Sequence, residues 1–219
     1  MDLTDLGSRR TKIANQDEII IGDFPDTAQA YDLIRTWNRR AEPDSQGALA
    51  YYFFKKALGG DTARKTEPPA SLTDGQLLEA LQKGAALLKG RFGDVAVPYG
   101  RYFRVGRRGG DRTWPVGGGS LQDVGMATPR AISFAPSRDG KQQVGHTGQS
   151  STQIVIMTDP PESYAVIPLG ESDHKESDHW DDQAEKLFSQ GKAVRTHFLR
   201  PDELMKHVTS KKVLNPPRP

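Results

Sequence analysis

The sequence of 219 residues has no cysteine, which excludes disulfide bonds and thiolate metal sites. It is also poor in apolar residues, which make up 35% of the chain. Its mean hydropathy of −0.65 is low for a globular protein. The 22 glycines and 15 prolines indicate defined turns rather than disorder. We therefore expect a folded, loop-rich chain with few apolar residues to spare.

Strong charge of one sign is also missing, because 30 Lys and Arg residues against 28 Asp and Glu residues give a net charge of +2. Such a balance provides no overall field to attract nucleic acid or an acidic membrane. No apolar run is long enough to span a membrane, and the N-terminus, MDLTDLGSRRTK, has no apolar core of signal-peptide length. We expect a soluble chain without an export signal and with neither nucleic acid nor a membrane among its partners.

Residues 1–100 predict a mainly helical segment. Three sets of apolar residues recur at three- and four-residue steps, as on one face of a helix. Each set follows a residue that can cap a helix N-terminus, and the last two end at glycine. The expected bounds are Asp26 or Thr27 to Asn38, Asp44 or Ser45 to Gly59-Gly60, and Thr73 to Gly93.

Residues 101–219 predict a β-rich segment that ends in two helices. Its runs of β-branched and aromatic residues are separated by Gly, Pro and Asp. The runs are RYFRVGR, RAISFAP, STQIVIMT and SYAVIPLG, and the helices are DDQAEKLFSQGK and RPDELMKHV. Residues 159–162 predict a hairpin loop, and IVIM and YAVI on its two sides are expected to be central strands. The fold class is therefore α+β, with a helical first half and an antiparallel β second half.

The stretch GESDHKESDHWDDQ, residues 170–183, contains Glu-Ser-Asp-His twice. His174 and His179 are five residues apart, which separates them by about 140° on a helix and places them on opposite faces of a strand. Histidines that bind zinc from a helix are usually closer in sequence. The spacing favours a solvated, hydrogen-bonded loop over a metal site.

Two further stretches have alternative interpretations. RYFRVGRRGGDR, residues 101–112, interleaves aromatics with arginines as an RNA-binding strand can, but it also fits a hairpin with Arg on its solvent face and Gly109-Gly110 in its turn. Gly117-Gly118-Gly119-Ser120 lacks the Lys-Ser/Thr pair of a phosphate-binding loop, so a flexible or tightly turned loop is expected there.

Several motifs follow one another in a familiar order. They are Asp44-Ser45-Gln46-Gly47-Ala48-Leu49, Arg91-Phe92-Gly93 with Val97-Pro98-Tyr99-Gly100, Trp114-Pro115-Val116-Gly117-Gly118-Gly119, Ala131-Ile132-Ser133-Phe134-Ala135-Pro136 with Gly148-Gln149-Ser150, Pro168-Leu169-Gly170-Glu171-Ser172 with Ser177-Asp178-His179-Trp180-Asp181-Asp182-Gln183, and Phe198-Leu199-Arg200-Pro201-Asp202-Glu203-Leu204. Together they resemble the penicillin acylase family of N-terminal-nucleophile amide hydrolases, which includes penicillin, acyl-homoserine-lactone and aculeacin-type acylases. Glu171 and Asp178 depart from it, since the family usually has Gln and Pro there.

The resemblance implies a fold and a place in a larger protein. The chain is similar to the C-terminal part of a β chain, so we expect one incomplete structural unit that contributes to an αββα sandwich. Its partners would be the α chain and the N-terminal part of the β chain of the same precursor. The low apolar content fits a piece whose core is completed by other segments, and it predicts exposed apolar patches.

The signature residues are expected to be structural rather than metal-binding, with the side chains of His179 and Asp182 hydrogen-bonded to loop backbone. They are Gly170, Ser172, His179, Asp182 and Gln183.

The resemblance also implies how the reaction proceeds. In this family the first residue of the β chain is a serine whose own amine acts as its base, and the oxyanion is held by a backbone amide and an Asn side chain. This sequence begins with Met1, which has no hydroxyl, and the Asn lies upstream of every matched motif. Arg9 matches the arginine that steadies the Asn and the serine, with Arg10 as its rival and a solvated helix start as the alternative to both.

These expectations combine into two hypotheses of function. The first is a fragment of an amidohydrolase that cleaves N-acyl compounds such as β-lactams or acyl-homoserine lactones, is inactive alone and uses no cofactor or metal. An intact relative of this kind is expected in the periplasm or outside the cell. The second is a non-catalytic binding or scaffold module that contacts nucleic acid through Arg101, Arg104, Arg107 and Arg108.

Overall fold

A computed structural model of the chain describes residues 24–59, 72–107, 112–119 and 132–214. The described part is α+β, with helices first and two small sheets after them, as the sequence predicts. None of the described helices is long and apolar enough to span a membrane.

Three helices make up most of the described residues of the first half, and two of them begin where the sequence indicates. They are α1 Pro25–Thr36, α2 Gln46–Ala57 and α3 Asp74–Phe92. The Ser45 hydroxyl accepts a hydrogen bond from the backbone N–H of Ala48 at the start of α2. Thr73 and Gln76 form a reciprocal capping box on α3, which ends at Gly93 in the left-handed conformation, with φ +79°.

The start of α1 differs from the prediction that Asp26 or Thr27 caps it. Pro25 is the first helical residue, and no side chain caps the helix. Because proline fixes φ at a helical value and its missing N–H would be unpaired there, it starts the helix without a polar cap. Thr27 is buried inside the helix, and Asp26 forms an ion pair with Lys89 of α3 at 3.2 Å.

The helices pack through a close crossing and an aromatic cluster. Gly84 of α3 lies directly against the backbone of α2, because a Cβ built on it would be 2.9 Å from the amide nitrogen of Phe54. Phe53 and Tyr102 lie 5.3 Å apart between ring centroids, and Phe103 extends the cluster toward the first sheet. These three rings are among the largest buried side chains of the first core.

The first sheet follows a single helical turn, α4 Tyr99–Tyr102. Its strands are β1 Phe103–Val105, β2 Trp114–Pro115, β3 Ile132–Pro136 and β4 Gln143–Gly148, in the order β2-β1-β4-β3. The β1–β2 and β3–β4 pairs are antiparallel, but β1 and β4 are parallel. The sheet therefore contains one parallel pair, whereas the sequence predicted antiparallel strands throughout.

The second sheet has three antiparallel strands in the order β5-β6-β7. They are β5 Thr152–Ile156, β6 Glu162–Val166 and β7 Val194–Thr196. Residues 157–161 join β5 to β6, so the predicted loop at 159–162 is present but Glu162 already belongs to β6. The prediction that both apolar strands are central is correct for β6 and wrong for β5. As the edge strand, β5 exposes Ile154, Val155 and Ile156, and Met157 just beyond it is 86% exposed. The expected exposed apolar patch is therefore present.

The two terminal helices are shorter than predicted. A π-helical turn, Ala184–Phe188, stands in place of the polar α-helix, and it buries Ala184 and Phe188. The closing helix, α5 Pro201–Met205, begins at the predicted proline.

The buried apolar residues form two clusters. The first joins α1–α4 to Phe103. The second joins Val105 and Ile132 of the first sheet, with Val116 just after β2, to Val166 and the π-helical turn. The division of the chain into segments 1–100 and 101–219 remains a prediction.

Candidate functional site

The residues of the penicillin-acylase-like signature form one loop, residues 168–183, which we call the signature loop. Both ESDH copies make the same local turn. The Ser172 hydroxyl accepts a hydrogen bond from the backbone N–H of His174, and the Ser177 hydroxyl accepts one from that of His179, each at 3.1 Å. Serine favours such turns because its hydroxyl replaces a backbone partner two residues along the chain. The doublet is therefore a repeated turn motif.

Gly170 is required where the two arms of the signature loop cross. A Cβ on Gly170 would overlap the carbonyl oxygen of His179 and lie 2.7 Å from the carbonyl carbon and oxygen of Trp180. Beside this crossing, the Ser172 backbone N–H donates to the His179 carbonyl at 3.0 Å. A side chain at position 170 would force the arms apart.

The histidines of the signature loop have different surroundings, and neither is arranged to bind a metal. Nδ1 of His179 lies 3.1 Å from Oδ2 of Asp182, so these two side chains contact each other rather than the loop backbone that we predicted. The other carboxylate oxygen of Asp182 is buried without a hydrogen-bond partner. His174 is exposed beside Asp173. Across the described ranges, no cluster of three or more potential metal ligands occurs.

Gln183 connects the signature loop to the end of β6. Its Oε1 accepts a hydrogen bond from the backbone N–H of Ile167 at 3.0 Å, and its Nε2 donates to Glu171 at 3.1 Å. The backbone N–H of Ala184 donates to the carbonyl of Leu169. Glu171, which departs from the family's usual Gln, therefore still accepts a hydrogen bond through its carboxylate.

Arg107, just beyond β1, binds the signature loop through hydrogen bonds and ring stacking. Its guanidinium donates to the carbonyls of Trp180, Gly170 and Ser172 at 2.9, 3.0 and 2.7 Å, and it stacks on the Trp180 ring 4.3 Å from the centroid. All three acceptors lie more than 60 residues away in sequence, so no local pattern could identify them. Sequence reasoning placed Arg107 among candidate nucleic-acid contacts and missed this role.

The neighbouring arginines are also engaged with the protein. Arg104 donates to Gly100 and Thr113, and burial lowers the pKa of its guanidinium. It is half-buried, so the predicted hairpin does not present it on a solvent face. Arg101 lies over the Phe92 ring. Arg108 and the predicted turn at Gly109-Gly110 lie outside the described residues. The arginines that are described thus form no free cationic stripe.

The glycine run after β2 packs against the loop between α1 and α2. The Gly118 backbone N–H donates to the Ala41 carbonyl at 2.9 Å, and the Tyr99 hydroxyl donates to the Gly118 carbonyl at 2.8 Å. A Cβ on Gly117 would lie 2.6 Å from the Ala41 oxygen. Residues 116–119 form a packed loop without a turn, and Ser120 lies outside the described residues. The Gly118 N–H, a group that a phosphate would need, is already bonded within the protein.

A cavity of about 340 Å³ lies between β4 and the signature loop. Apolar side chains line part of it, including Val105, Ile132, Leu169 and Phe188. Gln149 also lines it, and the Oε1 atom of Gln149 is buried without a hydrogen-bond partner.

The described residues do not assemble an acid–base pair for nucleophilic catalysis. No serine or threonine hydroxyl in these ranges is hydrogen-bonded to a histidine ring or a lysine amine, although such a base activates a hydroxyl nucleophile. Arg9 and its rival Arg10 lie outside the described residues. The arrangement that the structure does show is a rigid, crosslinked loop.

Comparison with known families supports the motif-based resemblance. The sequence model of the family described as penicillin amidase matches residues 3–203, which is nearly the whole chain. A search of curated proteins found no match. With most of the chain covered by one family model, the protein belongs to the penicillin amidase family of amide hydrolases.

Proposed function

We propose that this chain is the C-terminal part of the β chain of an amidohydrolase that cleaves the amide bond of N-acyl compounds, such as β-lactams or acyl-homoserine lactones. The observation that carries the proposal is the family match over residues 3–203, combined with a signature loop that is built as a structural support. In this proposal the chain is inactive alone, because the nucleophile is supplied by another segment.

The roles divide according to the chemistry of N-terminal nucleophiles. The missing segment provides a terminal serine, whose amine takes the proton from its own hydroxyl, and the donors that stabilise the oxyanion. Removing one oxyanion donor typically slows such a reaction about 100- to 1,000-fold, so a chain without the donors and the nucleophile has no measurable route to catalysis. Arg9 would steady the serine and the Asn from this chain.

The exposed edge of the second sheet supports the proposal that a strand from another segment pairs with it. β5 pairs with β6 on one side, and no strand among the described residues pairs with its other side. Residues 147–158 contain no Asp, Glu, Lys or Arg, although natural edge strands usually carry charge or proline that prevents further pairing. We propose that a strand from the α chain or the N-terminal part of the β chain pairs with this edge and covers Ile154, Val155 and Ile156.

The test is complementation of the purified 219-residue chain. The chain is assayed alone with an aromatic and a long-chain acyl amide, and no turnover is expected. It is then co-expressed with the α chain and the front of the β chain of a family member, and turnover is expected only in the complex. Turnover by the chain alone would contradict the fragment proposal.

A pair of variants tests, in the same assay, whether the unpaired edge of β5 is where the partner strand docks. Ile156→Lys places a charge on the edge strand and should reduce co-purification and activity together. Val213→Lys introduces the same charge at another exposed apolar position, which is 73% exposed and outside the sheets, and should change neither. Equal loss in both variants, or in neither, would rule out β5 as the docking edge.

A further inference from the structure

The four edge strands of the two sheets in the described part of the chain differ in how they are protected from further pairing. β2 has only two residues and includes Pro115. β3 contains a register shift between Ser133 and Phe134, and β7 has three residues with Arg195 at its centre. Short length, proline, bulges and charge are features by which natural edge strands avoid pairing with another chain. Three of the four edges therefore carry such a feature.

The fourth edge strand, β5, is not protected in this way. Its five residues, TQIVI, contain no charge and no proline, and they pair with β6 in unbroken register from Thr152 to Ile156. Ile154, Val155 and Ile156 are 44–52% exposed. In an antiparallel ladder the backbone groups of a strand point alternately to its two sides, so the outer side of β5 offers N–H and C=O groups to a further strand.

The sequence of β5 is complementary to a second copy of itself. Two identical five-residue strands that pair antiparallel along their full length have the middle residue, Ile154, opposite Ile154 of the other copy. Thr152 then lies opposite Ile156, and Gln153 opposite Val155. Directly opposed β-branched residues stabilise a sheet, whereas opposed like charges destabilise it. Because residues 147–158 contain no Asp, Glu, Lys or Arg, no like charges meet even if the pairing extends beyond β5.

We propose that β5 pairs antiparallel with β5 of a second copy of this chain, with the twofold axis at Ile154. The two three-stranded sheets then form one six-stranded sheet in the order β7-β6-β5-β5-β6-β7. A single strand pair buries less area than the roughly 1,200 Å² of a stable complex, so the dimer is weak and reversible. The inference does not rest on the proposed hydrolysis. A partner segment that docks on β5 would compete for the same edge, so the homodimer is the state of the chain without that segment.

The first experiment measures the mass of the full chain in solution as its concentration rises. In analytical ultracentrifugation from about 5 µM to about 500 µM, the average mass should rise from one chain toward two, with a dissociation constant on the order of 100 µM. The rise should reverse on dilution and stop at the dimer. A chain that stays monomeric at the highest concentration, or that assembles past the dimer without a plateau, overturns the proposal.

The second experiment exchanges charge at the twofold axis. Ile154→Lys and Ile154→Glu each place a charge opposite its own copy, so each variant alone should dimerise about tenfold more weakly than the unaltered chain. An equimolar mixture places opposite charges against each other and should recover the original dissociation constant to within about threefold. Val213→Lys and Val213→Glu make the same replacements at an exposed position outside the sheets and should change nothing, alone or mixed. A mixture of folded Ile154 variants that stays monomeric overturns the proposed axis.

A third experiment tests the antiparallel register and decides the question if the Ile154 variants do not fold. Positions 152 and 156 face each other across the two copies only in the proposed register. A mixture of Thr152→Glu with Ile156→Lys should therefore dimerise about threefold more tightly than either variant alone. Equal dimerisation of the mixture and the single variants overturns the register. All three experiments use the chain by itself, so their failure would leave the result of the complementation assay unaffected.

Discussion

Replacing Arg107 should loosen the signature loop and lower the stability of the protein. Arg107→Met removes the charge and all five guanidinium N–H donors while keeping much of the aliphatic stem. It leaves the carbonyls of Gly170, Ser172 and Trp180 without the donor that joins them. Since these carbonyls belong to the two arms that cross at Gly170, the variant tests what holds the crossing together.

The expected loss follows from the three hydrogen bonds and the stacked ring. A hydrogen bond from a charged donor contributes about 1.5–3 kcal/mol net, and a cation over an aromatic ring about 0.5–2 kcal/mol. The sum is an upper bound, because the signature loop is near the surface, its carbonyls can bond water instead, and contacts of one side chain are not additive. We expect the free energy of unfolding to fall by about 2–4 kcal/mol, a large share of the roughly 5–15 kcal/mol of an ordinary protein.

Urea unfolding followed by tryptophan fluorescence measures this loss, since Trp180 reports on the signature loop itself. Arg107→Lys provides a single ammonium in place of the planar guanidinium N–H donors, so it should recover less than half of the lost free energy of unfolding. Arg138→Met is the matched control, because Arg138 is exposed in the turn between β3 and β4, and its change should stay within about 0.5 kcal/mol. If Arg107→Met unfolds within that same margin of the unaltered chain, the signature loop does not depend on Arg107 and the reasoning is refuted.

Two further predictions concern stability. Gly84→Ala should destabilise the protein by about 1–3 kcal/mol, because its Cβ would meet the α2 backbone. Gly90→Ala on the same helix has open space and should stabilise the protein by up to about 1 kcal/mol. Thermal unfolding of both variants measures the difference, and equal shifts in the unfolding temperature would contradict the close crossing. Backbone N–H groups of Ala96 and then Val95 lower the pKa of Asp94 from its ordinary 3.8, so the folded state binds its proton less readily than the unfolded state. The stabilisation from Asp94 is therefore present above about pH 4 and is lost as the pH falls through the lowered folded pKa. Urea unfolding measures this at several pH values. Between about pH 6 and about pH 3, the free energy of unfolding should fall less for Asp94→Asn than for the unaltered chain, and an identical fall in both proteins would refute the assignment.

The helices could be located from sequence because their boundaries depend on nearby residues. Ser45, Thr73 and Gly93 act on groups within four positions along the chain, so the sequence contains both partners of each cap. The first helix was misassigned at its start because Pro25 makes a polar cap unnecessary there. The ion pair of Asp26 with Lys89 could not be inferred, since these residues meet only when α1 packs on α3.

Strand positions were predicted better than strand environments. The apolar run Ile154–Ile156 reads as an interior strand, yet β5 is an edge strand, because β-propensity reports side-chain type and does not specify neighbours. The π-helical turn at Ala184–Phe188 is likewise a product of packing, in which Ala184 and Phe188 reach the second apolar cluster. Local helical preference gave no indication of it.

The sequence by itself determined the family, the α+β class, the caps of α2 and α3 and a hydrogen-bonded loop at the ESDH doublet, because motif order, capping and local hydrogen bonds are encoded within a few residues. Only the tertiary structure decided that Arg107 crosslinks the signature loop, that Gly170 lies at a crossing, and that a cavity with an unpaired Gln149 oxygen separates that loop from β4. The contacts of Arg107 and the cavity join groups that are distant in sequence, and Gly170 meets residues 179 and 180 only because the signature loop folds back on itself.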